Sequence, residues 1–442
     1  MDLALLGFLT IGVFLALILL ARTPVIVALI LVPVIAALVG GHGPDLSGHV
    51  IDGIKAVSPV AAMIMFAVLY FGLMIDAGLF EPLIRGLMRM VREDPVRLCL
   101  ITAALPMLVA LDGDGSTTFL ISITALMPVH RRMGLNPLVL PGIVALAAGV
   151  MNILPWGGPT ARTMSALNGT VDQIFLPVLP AMLAGIAWVF FAAFLMGRRE
   201  KRRLAVEGSA LGPAIAEAGD LGGSPAAPSP GWLFWFNLGL TTLLIGLLFQ
   251  GLYGEAIGLP ELHPALLFMI AFAIALPVNR RGWAAQSAQI AAHAPSVVMA
   301  TSMMFAAGVF TGVLGGTGMI KAMAAVLAGA LPQALAPYLA PIVAVTSMPF
   351  SLVFTPDAYY FGVLPVFANT AAAVGHDPLA IGRAAILGQM TTGFPLSPLT
   401  GATFVLLGLS QVSLRDHQRF TFLWAFGTTL VMTAAAFLTG AL

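Results

Sequence analysis

Charge is scarce in this chain. Its 442 residues carry 20 Lys and Arg and 19 Asp and Glu, together 9%, against about 25% in an ordinary soluble domain. That scarcity excludes a water-soluble globular protein and leaves no nucleic-acid partner to expect. Cysteine is almost absent: Cys99 stands alone inside an apolar run, so no intrachain disulfide is possible and no thiol chemistry is implied. A basic region ahead of the first apolar stretch is missing too. Asp2 precedes residues 3–20, which therefore read as a first membrane helix rather than a cleaved signal peptide. The short alternating segments of a membrane β-barrel are not seen. Seven histidines (His42, His49, His130, His263, His293, His376, His417) all fall at predicted ends or loops, where solvation is expected. That is a poor pattern for a metalloenzyme. With no nucleophile–base pair in view, no enzymatic activity is expected.

What the chain has instead is oil. Hydrophobic residues make up 59% and the mean hydropathy is +1.00, which places it among polytopic all-α membrane proteins. Apolar spans fall near 3–20, 24–40, 57–80, 98–111, 116–129, 137–166 and 173–197. A polar stretch follows, charged at first (RREKRR, 198–203) and then rich in Ala, Gly, Pro and Ser. It reads as a cytoplasmic linker over 198–231. Spans resume near 232–252, 263–278, 295–314, 337–349, 355–368, 379–410 and 419–440.

Placing 16 of the 20 basic residues on the cytoplasmic face imposes one condition. The stretch 98–130 must leave that face and return to it, because Arg97 precedes it and Arg131 and Arg132 follow. Each arm has about 14 residues where a crossing needs about 20. A re-entrant hairpin is expected, with DGDGST (112–117) at its tip. Glycines permit the reversal. The freed backbone groups require a protein or aqueous lining rather than lipid.

The second half repeats the first at an offset near 240 residues. FGLMIDAGLF (71–80) aligns with TGVLGGTGMI (311–320), and NPL (136–138) with DPL (377–379). Each half has five spanning helices and one hairpin, and an odd number of crossings inverts the second. The expected layout is a first repeat over 1–197 (hairpin 98–130, broken helix 137–166) and a second over 232–442 (hairpin 337–366, broken helix 379–410), with both termini outside. Inverted repeats with discontinuous helices mark secondary transporters, and the breaks mark their site.

Four breaks supply candidates. At the first tip, Asp112 and Asp114 are expensive at membrane depth and suit a cation or proton, with Ser116, Thr117 and Thr118 adding oxygens. Helix capping is the competing reading. In MNILPWGGPTARTMS (151–165), the run Pro155–Gly157–Gly158–Pro159 must interrupt the helix. Asn152, Thr160 and Arg162 follow from it. Arg162 either grips a substrate carboxylate through its planar fork or pairs with Asp76 or Asp114. Trp156 is read as packing against the hairpin. At the second tip, Thr355 and Asp357 form Thr-Pro-Asp, a good helix start, so Asp357 is divided between capping and substrate contact. The fourth break, MTTGFPLSPLTGATF (390–404), offers Thr392, Ser397 and Thr400, either to substrate or to backbone freed by prolines. Asp76 is a proton site or the partner of a nearby arginine. The segments 79–91 and 319–331 read as surface-lying connecting helices.

With these residues in view, the chain resembles the citrate–divalent metal/proton symporters, the CitMHS group of the ion transporter superfamily. The resemblance is carried by VAAMIMFAVLYFGLMIDAGLF (60–80), LDGDGSTTF (111–119), NPLVLPGIVALAAGVMNILPWGGPTAR (136–162) and FTPDAYYFGVLP (354–365). It implies proton-coupled uptake of citrate chelated to Mg²⁺ or Ca²⁺ by a homodimer in the bacterial cytoplasmic membrane. No permanently bound cofactor is implied. The dicarboxylate branch of the superfamily carries Ser-Asn-Thr at each tip. The extra carboxylates here suit a substrate that brings its own metal, with Asp112 and Asp114 toward the metal and Arg162 toward the carboxylates. A proton- or sodium-coupled carrier of a free di- or tricarboxylate remains the alternative.

Overall fold

A computed structural model describes residues 2–90, 94–113, 115–207, 231–250 and 262–442. The described residues are helical with short connections and contain no strand. Among the described residues, five helices are long and apolar enough to cross a membrane: Leu46–Asp76, Val171–Val206, Gly231–Leu248, Trp283–Gly316 and Leu414–Leu438. A sixth candidate is the pair Met319–Ala330 and Gln333–Phe350, bent by 115°. The remaining apolar helices are shorter, and Pro95–Val109, Val139–Met151 and Gly401–Ser410 among them flank breaks.

The first half runs α1 (Leu3–Leu19), α2 (Val25–Val39), α3 (Leu46–Asp76), α4 (Glu81–Arg89), α5 (Pro95–Val109), α6 (Gly115–Arg132), α7 (Val139–Met151), α8 (Gly158–Leu167), α9 (Val171–Ile174) and α10 (Leu179–Glu207). The second runs α11 (Gly231–Leu248), α12 (Pro264–Asn279), α13 (Trp283–Gly316), α14 (Met319–Ala330), α15 (Leu339–Phe350), α16 (Leu364–Ala373), α17 (Pro378–Ile386), α18 (Gly401–Ser410) and α19 (Leu414–Leu438). Local chemistry sets many of the starts. Asp94 and Pro95 open α5, Thr170 and Gln173 form a capping box on α9, and Asp377 accepts from Leu379 N ahead of Pro378 at the head of α17.

The centre is the crossing of α3 and α13. They run antiparallel: His49 lies against Gly316, Gly53 against Gly308 and Gly312, and Gly72 against His293. A Cβ on Gly53 would sit 2.0 Å from the Gly308 carbonyl oxygen, so the close backbone approach requires glycine. Near the end of α3, the Asp76 carboxylate accepts from Gln289 Nε2 (2.6 Å) and meets His293 Nε2 (2.8 Å), while Arg280 reaches only the Asp76 carbonyl (3.3 Å). The carboxylate is thus held by an amide and an imidazole, with the Arg280 guanidinium beside it on the Asp76 carbonyl. The helices α10 and α19 also run antiparallel, with Gly185 against Met432, Trp188 against Gly427, and Arg199 over the Trp424 ring at 5.3 Å.

The charged run 198–203, expected to open the linker, is helical, because α10 continues as one helix to Glu207. Its last turns are held by contacts that the composition does not reveal. Glu200 accepts from Asn136 N (2.8 Å), Arg203 donates to Gly134 O (2.6 Å), and Lys201 pairs with Asp94 at 3.1 Å. The rest of the expected linker, 208–230, lies outside the described residues. One expectation is corrected: His130 and His417 are buried rather than solvated. His130 Nε2 meets Thr102 Oγ1 at 2.8 Å and His417 Nε2 meets Pro395 O at 3.1 Å. Each imidazole lies among helices and is tied to a neighbouring one. The connecting helix α14 packs one face on α1 and α16, with Met319 and Met323 fully buried, and exposes Lys321 and Val326 on the other.

The α10 contacts fix a further point of geometry. The start of α5 (Asp94) and the segment after α6 (Gly134, Asn136) meet the same turn of α10, residues 200–203. The α5–α6 pair therefore leaves one end of the molecule and comes back to it, reversing at Gly113 with φ +76.

Candidate functional site

Helix breaks bring the candidate residues together. The α7–α8 break, residues 152–157, turns where Pro155, Gly157 and Pro159 stop the ladder. Gly157 is required there, since a Cβ would lie 2.0 Å from Asn152 O. Asn152 closes the break from both sides. Its Oδ1 accepts from Gly158 N at 3.3 Å, and its Nδ2 donates to the Met390 carbonyl at 2.7 Å. The second broken helix, α17–α18, thus touches the first. Gly149 confirms how closely they approach, as a Cβ there would sit 2.6 Å from Thr391 O.

The two reversals complete the ring. The turn after α5 meets the first break through Trp156, whose Nε1 donates to Leu111 O at 2.8 Å. It meets the second break through Phe119 stacked on Phe394, ring centroids 5.8 Å apart. The α15–α16 turn meets the second break where the Tyr360 hydroxyl donates to Gln389 O at 2.8 Å. It meets the first through an ion pair: Arg162 Nε donates to Asp357 Oδ1 at 2.7 Å, and a terminal nitrogen of Arg162 donates to Gly158 O at 3.2 Å. The side chains of Arg162 and Asp357 are only 17% and 12% exposed.

Among the described residues, Arg162 pairs with Asp357, 195 residues away in sequence, and not with Asp76. Asp357 is available because Thr355 does the capping, accepting from Ala358 N at 3.3 Å. The remaining candidates divide. Thr160 donates to Ile153 O (2.5 Å), Thr400 to Phe394 O (2.8 Å), Thr392 shares a hydrogen bond with Thr429 (2.6 Å), and Ser397 accepts from Leu399 N (3.2 Å). These hydroxyls satisfy groups inside and beside the breaks. Ser116, Thr117 and Thr118 occupy the first turn of α6, with Thr118 fully buried. Asp114 lies outside the described residues, as does the side chain of Asp112. Among the described residues no cluster of three or more His, Cys, Asp and Glu is placed to hold a metal ion.

Two residues that sequence reasoning passed over join the site: Gln389 is fully buried and Met390 adopts φ +57. Tyr360, which the second tip offered as a cavity-lining residue, bridges to their loop. Only the nearby MTTGFP break hinted at them, because a positive φ at methionine leaves no mark in composition.

The site-bearing helices also wall a cavity of about 470 Å³. Its lining includes Leu167 and Asn168 at the end of α8, Asn369 in α16, His49 and Asp52 of α3 and Lys321 of α14. Leu167 is five residues beyond Arg162, about 7.5 Å along α8.

The arrangement holds a guanidinium by one carboxylate at the meeting point of four backbone interruptions. Chemically it can exchange that carboxylate for another. Comparison with known proteins agrees in kind. The family described as Citrate transporter (CitMHS) matches residues 11–388. A "Citrate transporter" of Bacillus subtilis (strain 168) is 46% identical over 99% of both chains. A "Mg(2+)/citrate complex secondary transporter" of the same organism is 42% identical over 100% of this chain and 99% of its own. Among solved structures, the YdaH transporter of Alcanivorax borkumensis shares the fold at 18% identity, covering 89% of this chain and 88% of that one with a TM-score of 0.58. MtrF of Neisseria gonorrhoeae does so at 14% identity, 90% and 85% coverage and a TM-score of 0.59.

Proposed function

The chain belongs to the CitMHS citrate-transporter family, and from that premise we propose that it takes up citrate as a complex with Mg²⁺ or Ca²⁺, driven by protons. It is a multi-pass transporter of the bacterial cytoplasmic membrane and not an enzyme. The observation that carries the mechanism is the Arg162–Asp357 ion pair at 2.7 Å between the first broken helix and the second reversal.

A citrate carboxylate displaces Asp357 and takes the Arg162 fork in a bidentate grip. The released Asp357 carboxylate accepts a proton from outside and gives it up inside, when it pairs with Arg162 again. Substrate and proton are thereby coupled through one guanidinium. The substrate's metal faces Asp112 and Asp114 at the first tip. Ser116, Thr117 and Thr118, with Asn152, Gly157, Gly158 and Thr160, line the first half of the site; Thr355, Thr392, Ser397 and Thr400 line the second.

The fold is read as two inverted repeats, 1–197 and 232–442, each with five spanning helices, a re-entrant hairpin (98–130, 337–366) and a broken helix (137–166, 379–410). Support comes from the antiparallel pairing of the matching helices α3 with α13 and α10 with α19. The packing also recurs with the halves exchanged: α12 lies on α3 as α2 lies on α13, and α7 contacts both α5 and α6 as α17 contacts both α15 and α16. Alternating access then moves the breaks and hairpins against the α3–α13 pair. The working unit is a homodimer, to be checked by cross-linking in native membranes, where a band at monomer mass alone would count against it.

The test of transport uses labelled citrate and proteoliposomes. Uptake is expected with Mg²⁺ or Ca²⁺ and an inward proton gradient, and is expected to stop when a chelator removes the metal. Equal uptake with chelator present would sink the metal complex. Drive by a sodium gradient without a pH gradient would favour the sodium-coupled carrier instead.

A further inference from the structure

Gln389 lies in the loop after α17 and is 0% exposed, yet neither the nitrogen nor the oxygen of its side-chain amide has a hydrogen-bond partner among the described residues. An amide carries two donors and an acceptor. Leaving all of them unpaired in a buried place is unfavourable, and such exceptions in a native fold call for a cause. The Tyr359 hydroxyl is in the same condition, and its ring lies 5.5 Å from that of Tyr360.

The surroundings of Gln389 point to the cause. Its own carbonyl accepts from Tyr360, three residues beyond Asp357. The next residue, Met390, accepts from Asn152 through its carbonyl. The methyl of Met390 lies so near Gly158 that a Cβ there would approach within 2.4 Å, and Gly158 O accepts from Arg162. The unpaired amide thus belongs to the loop that touches the neighbours of both members of the ion pair. Neither an arginine nor a metal ion can accept a hydrogen bond from a hydroxyl. A neutral amide offers an acceptor and a donor side by side, which complements a hydroxyl next to a carboxylate.

We propose that Gln389 is a specificity-determining residue that reads the hydroxyl of a hydroxycarboxylate substrate, its amide oxygen accepting from the hydroxyl and its nitrogen donating to the adjacent carboxylate. The inference rests on the reading of Arg162 and Asp357 as a carboxylate site. Contact follows when the Tyr360–Gln389 hydrogen bond opens, and the substrate supplies the bonds the amide lacks. Gln389 therefore favours a substrate with a hydroxyl over one of the same charge and length without it.

Uptake of citrate and of tricarballylate, the same tricarboxylate without the hydroxyl, is compared at saturating Mg²⁺ in wild type and Gln389→Met. Wild type is expected to prefer citrate. In Gln389→Met that preference is expected to fall by about 10-fold, the size of the one lost hydrogen bond to the hydroxyl, since the bond to the carboxylate is common to both compounds. Tricarballylate uptake is expected to persist, and the melting temperature to stay at or above that of wild type. Gln389→Asn keeps both groups on a shorter arm and is expected to retain part of the preference. An unchanged preference in Gln389→Met overturns the assignment, as does a wild type that carries both compounds equally. Loss of both substrates with a lowered melting temperature also overturns it, because the amide is then structural. A wild type that takes up neither compound overturns the parent reading instead.

Discussion

At the scale of single residues, the Arg162–Asp357 pair answers two separate questions, and variants separate them. Removing one member leaves the other unpaired among helices. Full burial would make that cost about 3–5 kcal/mol; the remaining exposure of 17% and 12% lowers the expected loss to about 2–3 kcal/mol. Asp357→Leu should therefore lower the melting temperature, and adding Arg162→Met should recover much of the loss. Transport should not return in the double variant, because no cation is left to hold the substrate. A double variant that transports would make the pair purely structural. Arg162→Lys keeps the charge but not the fork, and citrate uptake is expected to drop at least about 10-fold; an unaltered citrate affinity would remove the bidentate grip. Asp112→Asn and Asp114→Asn are expected to insert normally and to lose uptake. Ordinary transport by both would take the tip carboxylates out of the mechanism.

At the scale of elements, backbone approach rather than side-chain chemistry decides the architecture. The α3–α13 crossing depends on Gly53, where a Cβ would lie 2.0 Å from a carbonyl oxygen, while Gly48 on the same helix faces open space with nothing within 4 Å. Gly53→Val should cost about 3 kcal/mol or more and reduce the yield of folded protein, whereas Gly48→Val should change neither. Equal behaviour of the two variants in a thermal-melt assay would mean that the helices can part freely. The same logic governs the breaks. Prolines and glycines told where α7–α8 and α17–α18 stop being helical, since they remove donors and admit tight turns. They said nothing about which freed groups meet. The Asn152–Met390 and Tyr360–Gln389 contacts span 238 and 29 residues, and residues so separated reveal no pairing through local pattern. The hydroxyls of Thr160 and Thr400 were legible as candidates, but only the fold shows them turned toward carbonyls of their own breaks.

At the scale of the whole molecule, both ends of the α5–α6 pair rest on one turn of α10. Arg97 and Arg131, both exposed near those ends, should therefore face the same compartment. With the native Cys99 replaced by alanine, Arg97→Cys and Arg131→Cys are expected to react with a membrane-impermeant maleimide from the cytoplasmic side alone. Labelling from opposite sides would turn the hairpin into a full crossing and undo the inverted layout.

Composition alone made this a polytopic helical protein, because a chain this poor in charge and this rich in apolar runs has no stable fold in water. The order of the spans and the positions of the breaks were also written locally, in proline, glycine and hydropathy. Which carboxylate holds Arg162, which histidines are buried and which amide is left unpaired were decided only when the helices packed together. Those outcomes depend on distances between residues far apart in the chain, and a one-dimensional pattern holds no such distances.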